Sequence, residues 1–298
     1  MKYFYDGKFL LKDEIKIDIL SPTTQYGLNV FEGIRGYYNK NSNCLVLIDL
    51  NSHIKRLLQS ANFLNIQHDY TFENIQNSIN DLIKVNRVNH GVYIKIVLLF
   101  SDQGSWNTNQ KASIFIAIFD NKDFNPQKKS LRSKISSWER INSRSLPPRI
   151  KSGANYINSR LAQLEVLRDG YDMAIFLDNQ GFLSEAPGSC LFLVKDESFY
   201  TPSLTSSVLE SITRKIVIYI IENVLGKKCY VQSLDRIDFY QSDEAFLCGT
   251  AIELTRIESI DHIQFTNHEL FSQLAEEFCK FTKGDLDIPF QTSIKCNY

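Results

Sequence analysis

The chain has 298 residues, enough for about two domains and a large buried core. Its 33 basic residues nearly balance its 34 acidic ones, with no long block of either sign, which argues against bulk binding of a nucleic-acid backbone or an anionic membrane surface. No apolar run could span a bilayer, the first residues lack the apolar core of a signal peptide, and the six scattered cysteines stand at no metal-ligand spacing. Free buried thiols in a reducing cytoplasm are therefore expected, with no metal, nucleic-acid or membrane partner.

Residues 3–10 read as a hairpin closed by Asp6 and Gly7, a dipeptide suited to the positive φ of a two-residue turn. The later half of 26–38 reads as a strand, and the turn-rich 39–43 leads into another at 44–48. Ser52 is placed to cap a helix whose apolar stripe is Ile54, Leu57, Leu58, Ala61 and Leu64. Arg56 lies off that stripe, where a solvated charge and a ligand read alike. A second helix, about 72–85, puts Phe72, Ile75, Ile79, Leu82 and Ile83 on one face. Residues 92–100 and 113–119 are short and rich in Ile and Val, as buried strands are.

From 120 to 149 the pattern dissolves, apart from a possible strand near 131–138. The expected organisation is a small N-terminal domain at 1–125, an interdomain passage at 126–150 and a larger C-terminal domain at 151–298. That second half opens with a helix from about Asn155 to Gly170, followed by strands at 173–177, 189–194 and 199–202. Ser211 opens a clear helix that Gly226 ends. Strands at 244–249 and 252–260 flank Thr250 and Ala251, and a helix at 270–281 precedes a polar tail.

Four stretches could carry chemistry. Lys151 follows the Pro147-Pro148 pair and precedes small residues and Tyr156, while Glu185 stands alone in a tight loop downstream. A lysine able to form a Schiff base and an acid facing a ring nitrogen are the two protein groups pyridoxal phosphate needs, although a surface lysine would read the same alone. Ser211, Ile212 and Thr213 open a helix, which offers unpaired N–H groups and a positive dipole end to an anion, or merely a cap. Gly249, Thr250 and Ala251 follow a strand, where backbone amides can approach an anion or simply turn. No Walker or Rossmann glycine pattern appears.

In their order and spacing these pieces resemble the class IV (fold-type IV) pyridoxal-phosphate aminotransferases, most of all the branched-chain amino-acid subgroup. The resemblance is carried by Tyr26-Gly27, Val30-Phe31-Glu32-Gly33-Ile34-Arg35, His53 with Arg56-Leu57 and Ser60-Ala61, and Tyr93-Ile94-Lys95. It continues through Lys151, Gly153 and Asn155-Tyr156, Gly170-Tyr171-Asp172, Ser184-Glu185, Thr201-Pro202, Ile212-Thr213-Arg214 and Gly249-Thr250-Ala251. It implies an α+β fold of two α/β domains joined by an interdomain loop, with the site between them, in a cytoplasmic homodimer. It also implies ping-pong transfer of an amino group between an amino acid, above all a branched-chain L-amino acid, and a 2-oxo acid such as 2-oxoglutarate.

The resemblance gives roles position by position. Lys151 would hold the cofactor as a Schiff base and shuttle a proton, Glu185 would face the pyridine nitrogen, and Tyr156 would bond the phenolic oxygen. Arg56, the Ile212 and Thr213 amides, the Thr213 hydroxyl and Thr250 would hold the phosphate. Tyr26, Phe31 and Gly33 would line the substrate pocket, and the Thr250 and Ala251 amides with Tyr93 would receive the substrate carboxylate. Lys95 stands where the subgroup usually has Arg, a point charge in place of a planar fork. Cys190 for a usual Asn, Gln25 for a common His, and Glu210-Ser211 for Pro-Gly also depart from the pattern. D-amino-acid transamination, aminodeoxychorismate lyase activity and a non-catalytic cofactor-binding role stay open on these departures.

Overall fold

The computed structural model describes residues 1–121 and 130–296, an α+β chain that divides into two compact units. One unit comprises Met1–Phe124, Ile150–Ala154 and Thr282–Tyr298; the other comprises Asn125–Arg149 and Asn155–Phe281. The expected boundary near 125 lies outside the described residues. Among the described residues no helix is long and apolar enough to cross a membrane.

The first unit is built on a seven-stranded antiparallel sheet. Its order is Gln291–Lys295, Cys44–Ile48, Asn29–Asn39, Val92–Leu99, Ser113–Asp120, Tyr3–Tyr5 and Lys8–Leu10. The last two strands form the expected hairpin, with Asp6 and Gly7 at φ 43° and 81°. Side chains alternate along Asn29–Asn39. Val30 and Ile34 point into one core with Ile94 and Ile96, and the helices Leu50–Phe63 and Phe72–Val85 supply Ile54, Leu57, Ile75, Ile79 and Leu82 to it. The first helix is capped by Asp49, not Ser52: the Asp49 carboxylate accepts the Ser52 N–H at 3.2 Å.

Two segments expected in a C-terminal domain belong instead to this unit. The polar tail contains the strand Gln291–Lys295, which pairs with Cys44–Ile48 and brings Ile294 against the core. The Lys151 segment joins because its backbone hydrogen-bonds to Asn29 and Phe31.

The second unit holds a nine-stranded mixed sheet, ordered Cys229–Gln232, Ser198–Pro202, Ser189–Lys195, Glu244–Gly249, Glu253–Ile260, Ser130–Ile135 and Met173–Ile175. Two short strands flank this path, Glu185–Ala186 on Ser189–Lys195 and Ile263–Gln264 on Glu253–Ile260. Glu244–Gly249 is buried throughout, as a near-continuous apolar strand covered on both faces should be. The helices Tyr156–Arg168 and Ile212–Asn223 stand close to their expected places. Cys229–Gln232 and the helix Arg236–Tyr240, capped by Asp235, were not expected. The first is a half-exposed edge strand without alternation, so its residues carry no periodic signal.

Candidate active site

In the first unit, the lysine segment is laid along the start of the Asn29–Asn39 strand. The Phe31 N–H donates to the Lys151 carbonyl at 3.0 Å, and the Gly153 N–H donates to the Asn29 carbonyl at 3.3 Å. Val30 and Ser152 form an antiparallel bridge between them. The Lys151 N–H reaches the buried Ser60 hydroxyl at 3.5 Å. Gly153 permits this approach, because a Cβ there would fall 2.7 Å from the Asn29 side-chain amide. The result sets the Lys151 Nζ 5.2 Å from the Phe31 ring centroid.

The same sheet face gathers several other expected site residues. Gly33 pairs with Lys95 and Arg35 with Tyr93 across neighbouring strands, so these side chains share a face with Phe31. The Lys95 Nζ also lies 5.2 Å from the Phe31 centroid. The Tyr93 phenol packs onto Gly33, where a Cβ would stand 1.8 Å from its oxygen. Tyr26 is 47% exposed and ends the short helix Pro22–Tyr26.

Glu32 points to the opposite face, into the interior beneath Leu50–Phe63, and is fully buried. Arg56 grips it with two bonds, Nε to Oε1 at 2.6 Å and Nη2 to Oε2 at 2.8 Å. His53 Nδ1 lies 2.7 Å from Oε2. Burial pushes the Glu32 carboxyl up, but Arg56 and His53 outweigh it and hold the group down at about 2. Burial pushes His53 below its ordinary value against the pull of Glu32, so near neutrality the imidazole is uncharged and donates through Nδ1. Arg56 is thus held by a buried partner rather than solvated.

In the second unit, Glu185 is buried on its short strand. Its Oε1 accepts from Arg140 Nε at 3.0 Å and Nη2 at 2.8 Å, and its Oε2 accepts from the Leu209 N–H at 3.1 Å. Arg140 lies over the Phe176 ring and donates through Nη1 to Asn158 Oδ1 at 3.2 Å. Arg140 is not marked in the sequence, since a lone arginine in an irregular stretch gives no signal of its own.

The helix Ile212–Asn223 is capped by Ser211, whose hydroxyl accepts the Arg214 N–H at 3.2 Å and whose carbonyl accepts the Lys215 N–H at 3.1 Å. The Ile212 and Thr213 amides at the helix start have no intrahelical partner. The Thr213 and Thr250 hydroxyls stand 3.4 Å apart, so a helix start and a strand end meet at one point. Thr250 and Ala251 lie in the turn after Glu244–Gly249. Arg214 turns inward, to Thr201 Oγ1 at 2.9 Å and the Pro202 carbonyl at 2.6 Å, and so anchors the helix start to the sheet. Tyr156 begins the helix Tyr156–Arg168 and is partly exposed.

One unit thus lays a lysine along a strand, and the other holds a buried carboxylate by arginine and brings a helix start to a strand end. The family model for class IV amino-transferases matches residues 29–260, and the chain belongs to that family. It is 32% identical to a probable branched-chain-amino-acid aminotransferase of Aquifex aeolicus over 95% of this chain and 93% of that protein. Its fold is similar to the branched-chain aminotransferase of Thermoproteus uzoniensis crystallised with norvaline, with TM-score 0.93, 32% identity and 99% of both chains covered. The branched-chain amino acid aminotransferase of Thermobaculum terrenum in its PLP form gives TM-score 0.91 at 33% identity, with 98% of both chains covered.

Proposed function

We propose that this chain uses pyridoxal phosphate to move the amino group between a branched-chain L-amino acid and a 2-oxo acid such as 2-oxoglutarate, in two half-reactions on one site. The observation that carries this reading is the seating of Lys151 against the Asn29–Asn39 strand, with its Nζ over Phe31 on the face shared by Tyr93 and Lys95. The residues fit the cofactor. Glu185 is a buried carboxylate with both oxygens oriented, and Thr213, Thr250 and the Ile212 and Thr213 amides form an anion cradle. When bound, the cofactor supplies a carbonyl for amines and a ring that withdraws electrons.

The residues would then divide the tasks. The Lys151 Nζ would hold the cofactor and would serve as the base and acid for the proton of the substrate Cα. Glu185, held by Arg140, would face the ring nitrogen, and Tyr156 would bond the phenolic oxygen. Arg56, the Ile212 and Thr213 amides, the Thr213 hydroxyl and Thr250 would each hold phosphate. Tyr26, Phe31 and Gly33 line the side-chain pocket, while the Thr250 and Ala251 amides, Tyr93 and Lys95 receive carboxylate. The protein works as a homodimer in the cytoplasm. Exposed Ile17, Ile19, Leu20 and Tyr26 in one short stretch support a covered surface, and six free thiols support a reducing compartment.

A substrate panel tests the reading. L-Leucine, L-isoleucine or L-valine alone should convert the cofactor's visible absorbance to that of its amine form, and 2-oxoglutarate should restore it while glutamate accumulates. Preference for D-alanine would replace the substrate assignment. Pyruvate released from aminodeoxychorismate without any acceptor would replace the reaction, and no exchange with any amino acid would leave a binding protein. Borohydride should fix the cofactor on Lys151, and Lys151→Ala should abolish that adduct and lower kcat by at least ~10³-fold.

A further inference from the structure

A fully buried carboxylate is costly unless every oxygen is engaged and a counter-charge is held close. Glu32 meets both conditions through two residues of one helix. Arg56 covers one edge of the carboxylate as a fork, and His53, one turn earlier, adds a third bond to Oε2. A bidentate arginine–carboxylate pair fixes the guanidinium plane as well as its position. Here the Nε–Nη2 edge faces Glu32, so the Nη1 side of the fork is turned away from it in a fixed direction. The Arg56 side chain is 13% exposed against 0% for Glu32, so the carboxylate is the more deeply buried partner.

The polar groups on this helix follow one another at helical spacing. His53 and Arg56 hold Glu32, and one turn further Ser60 accepts the Lys151 N–H. Glu32 also sits between Phe31 and Gly33 on the strand, with its backbone in the same ladder that carries the lysine segment. A change at its side chain is therefore felt first at Arg56.

We infer that Glu32 is a positioning residue that holds the Arg56 guanidinium, through a bidentate bond buttressed by His53, in the orientation that receives the phosphate of the cofactor. This rests on the reading of Arg56 as a phosphate ligand. A bare counter-ion role for Glu32 makes the opposite demand. Removing a negative charge near Arg56 would then strengthen the attraction for a dianion, whereas removing a support lets the flexible side chain leave its place.

The test compares two probes on the full-length chain freed of cofactor: pyridoxal 5'-phosphate, and pyridoxal, which lacks the phosphate. Titrations followed by absorbance give the ratio of their affinities, which isolates the phosphate contribution. Glu32→Gln is expected to weaken pyridoxal 5'-phosphate at least tenfold and to change pyridoxal less than about twofold. Glu32→Asp keeps the charge but cannot reach both nitrogens, so it should lose affinity in the same direction. It also supplies the measurement if the amide variant does not fold.

Unchanged or tighter binding of pyridoxal 5'-phosphate in a folded variant, or an equal loss for both probes, would overturn the inference. Arg56→Ala separates the two levels. Should it leave the ratio at the wild-type value, the phosphate assignment of Arg56 falls and takes this inference with it. Should it collapse the ratio while both Glu32 variants keep it, the assignment stands and only the role of Glu32 is removed.

Discussion

Gly33 and Tyr93 show how one missing side chain shapes a site. A Cβ on Gly33 would stand 1.8 Å from the Tyr93 phenolic oxygen, so Gly33→Ala must displace the far end of the tyrosine. Because a phenol tip can swing, the expected stability cost stays near ~1–3 kcal/mol, the range for inserting a methyl group into a packed region. The functional cost should be larger. If Tyr93 contacts the substrate, KM for the amino acid should rise about tenfold or more, and steady-state kinetics beside a thermal melt would separate the two effects. Arg140 makes the complementary case in the other unit. It is the charged partner of a buried carboxylate, and Arg140→Met would leave Glu185 buried without it. Breaking a buried pair from one side costs ~3–5 kcal/mol, and denaturant unfolding should show a loss of that order. Arg140→Lys should recover only part, since an ammonium cannot reproduce two bonds from a rigid fork.

At the scale of elements, the helix Leu50–Phe63 carries both the core of its unit and the Arg56 cluster, so its start matters. Asp49 has φ 40°, a left-handed conformation that Asp and Asn tolerate better than Ala, and its Oδ1 accepts the Ser52 N–H. Asp49→Ala should therefore lose both cap and conformation, about 1–2 kcal/mol by urea unfolding. Asp49→Asn should stay within about 0.5 kcal/mol, because it keeps the accepting oxygen. Ser52 looked like the cap because it is the polar residue just before the apolar stripe; the chain leaves its strand at Ile48 and turns earlier than that stripe reveals. Periodicity was enough for this helix, for Phe72–Val85 and for the central strands, since each buries a regular face. It was not enough for Gln291–Lys295, which has one apolar residue and a partner strand far away in sequence. His53, Arg56 and Ser60 are spaced for one helix face, yet a polar stripe ordinarily reads as solvated. Only the placement of Glu32 on the next strand makes it an interior one. The site shows the same division. Residue type and motif single out Lys151, Glu185 and Thr213 as candidates, while the Arg140 contact and the grip on Arg56 exist only between distant segments.

For the whole molecule, buried titratable groups should confine stability to a plateau with an acid and an alkaline limb. On the acid side the fully buried groups are His53 and Glu32. The unfolded chain takes up a proton on histidine below its ordinary 6.5, while folded His53, held down by burial, does not, so stability falls as pH drops. Glu32 adds to this below its ordinary 4.5, because the folded carboxyl stays ionised to about 2 and the unfolded one does not. On the alkaline side the sign reverses. Burial raises Cys229 to about 12 and Cys248 well above its ordinary 9.0, so above about 9 the unfolded thiols ionise while the folded ones stay neutral. Tyr240, raised to about 12 by burial and Asp261, adds a later contribution. Urea midpoints measured across pH should therefore be flat between about 7 and 9 and fall on both sides. His53→Gln cannot titrate, so it should lessen the part of the acid limb between about 6.5 and 4.5, to which His68 also contributes, and leave the alkaline limb unchanged. Cys229→Ala should do the reverse, lessening the alkaline slope alone. If each substitution altered both limbs, the assignment of the limbs to these groups would be wrong.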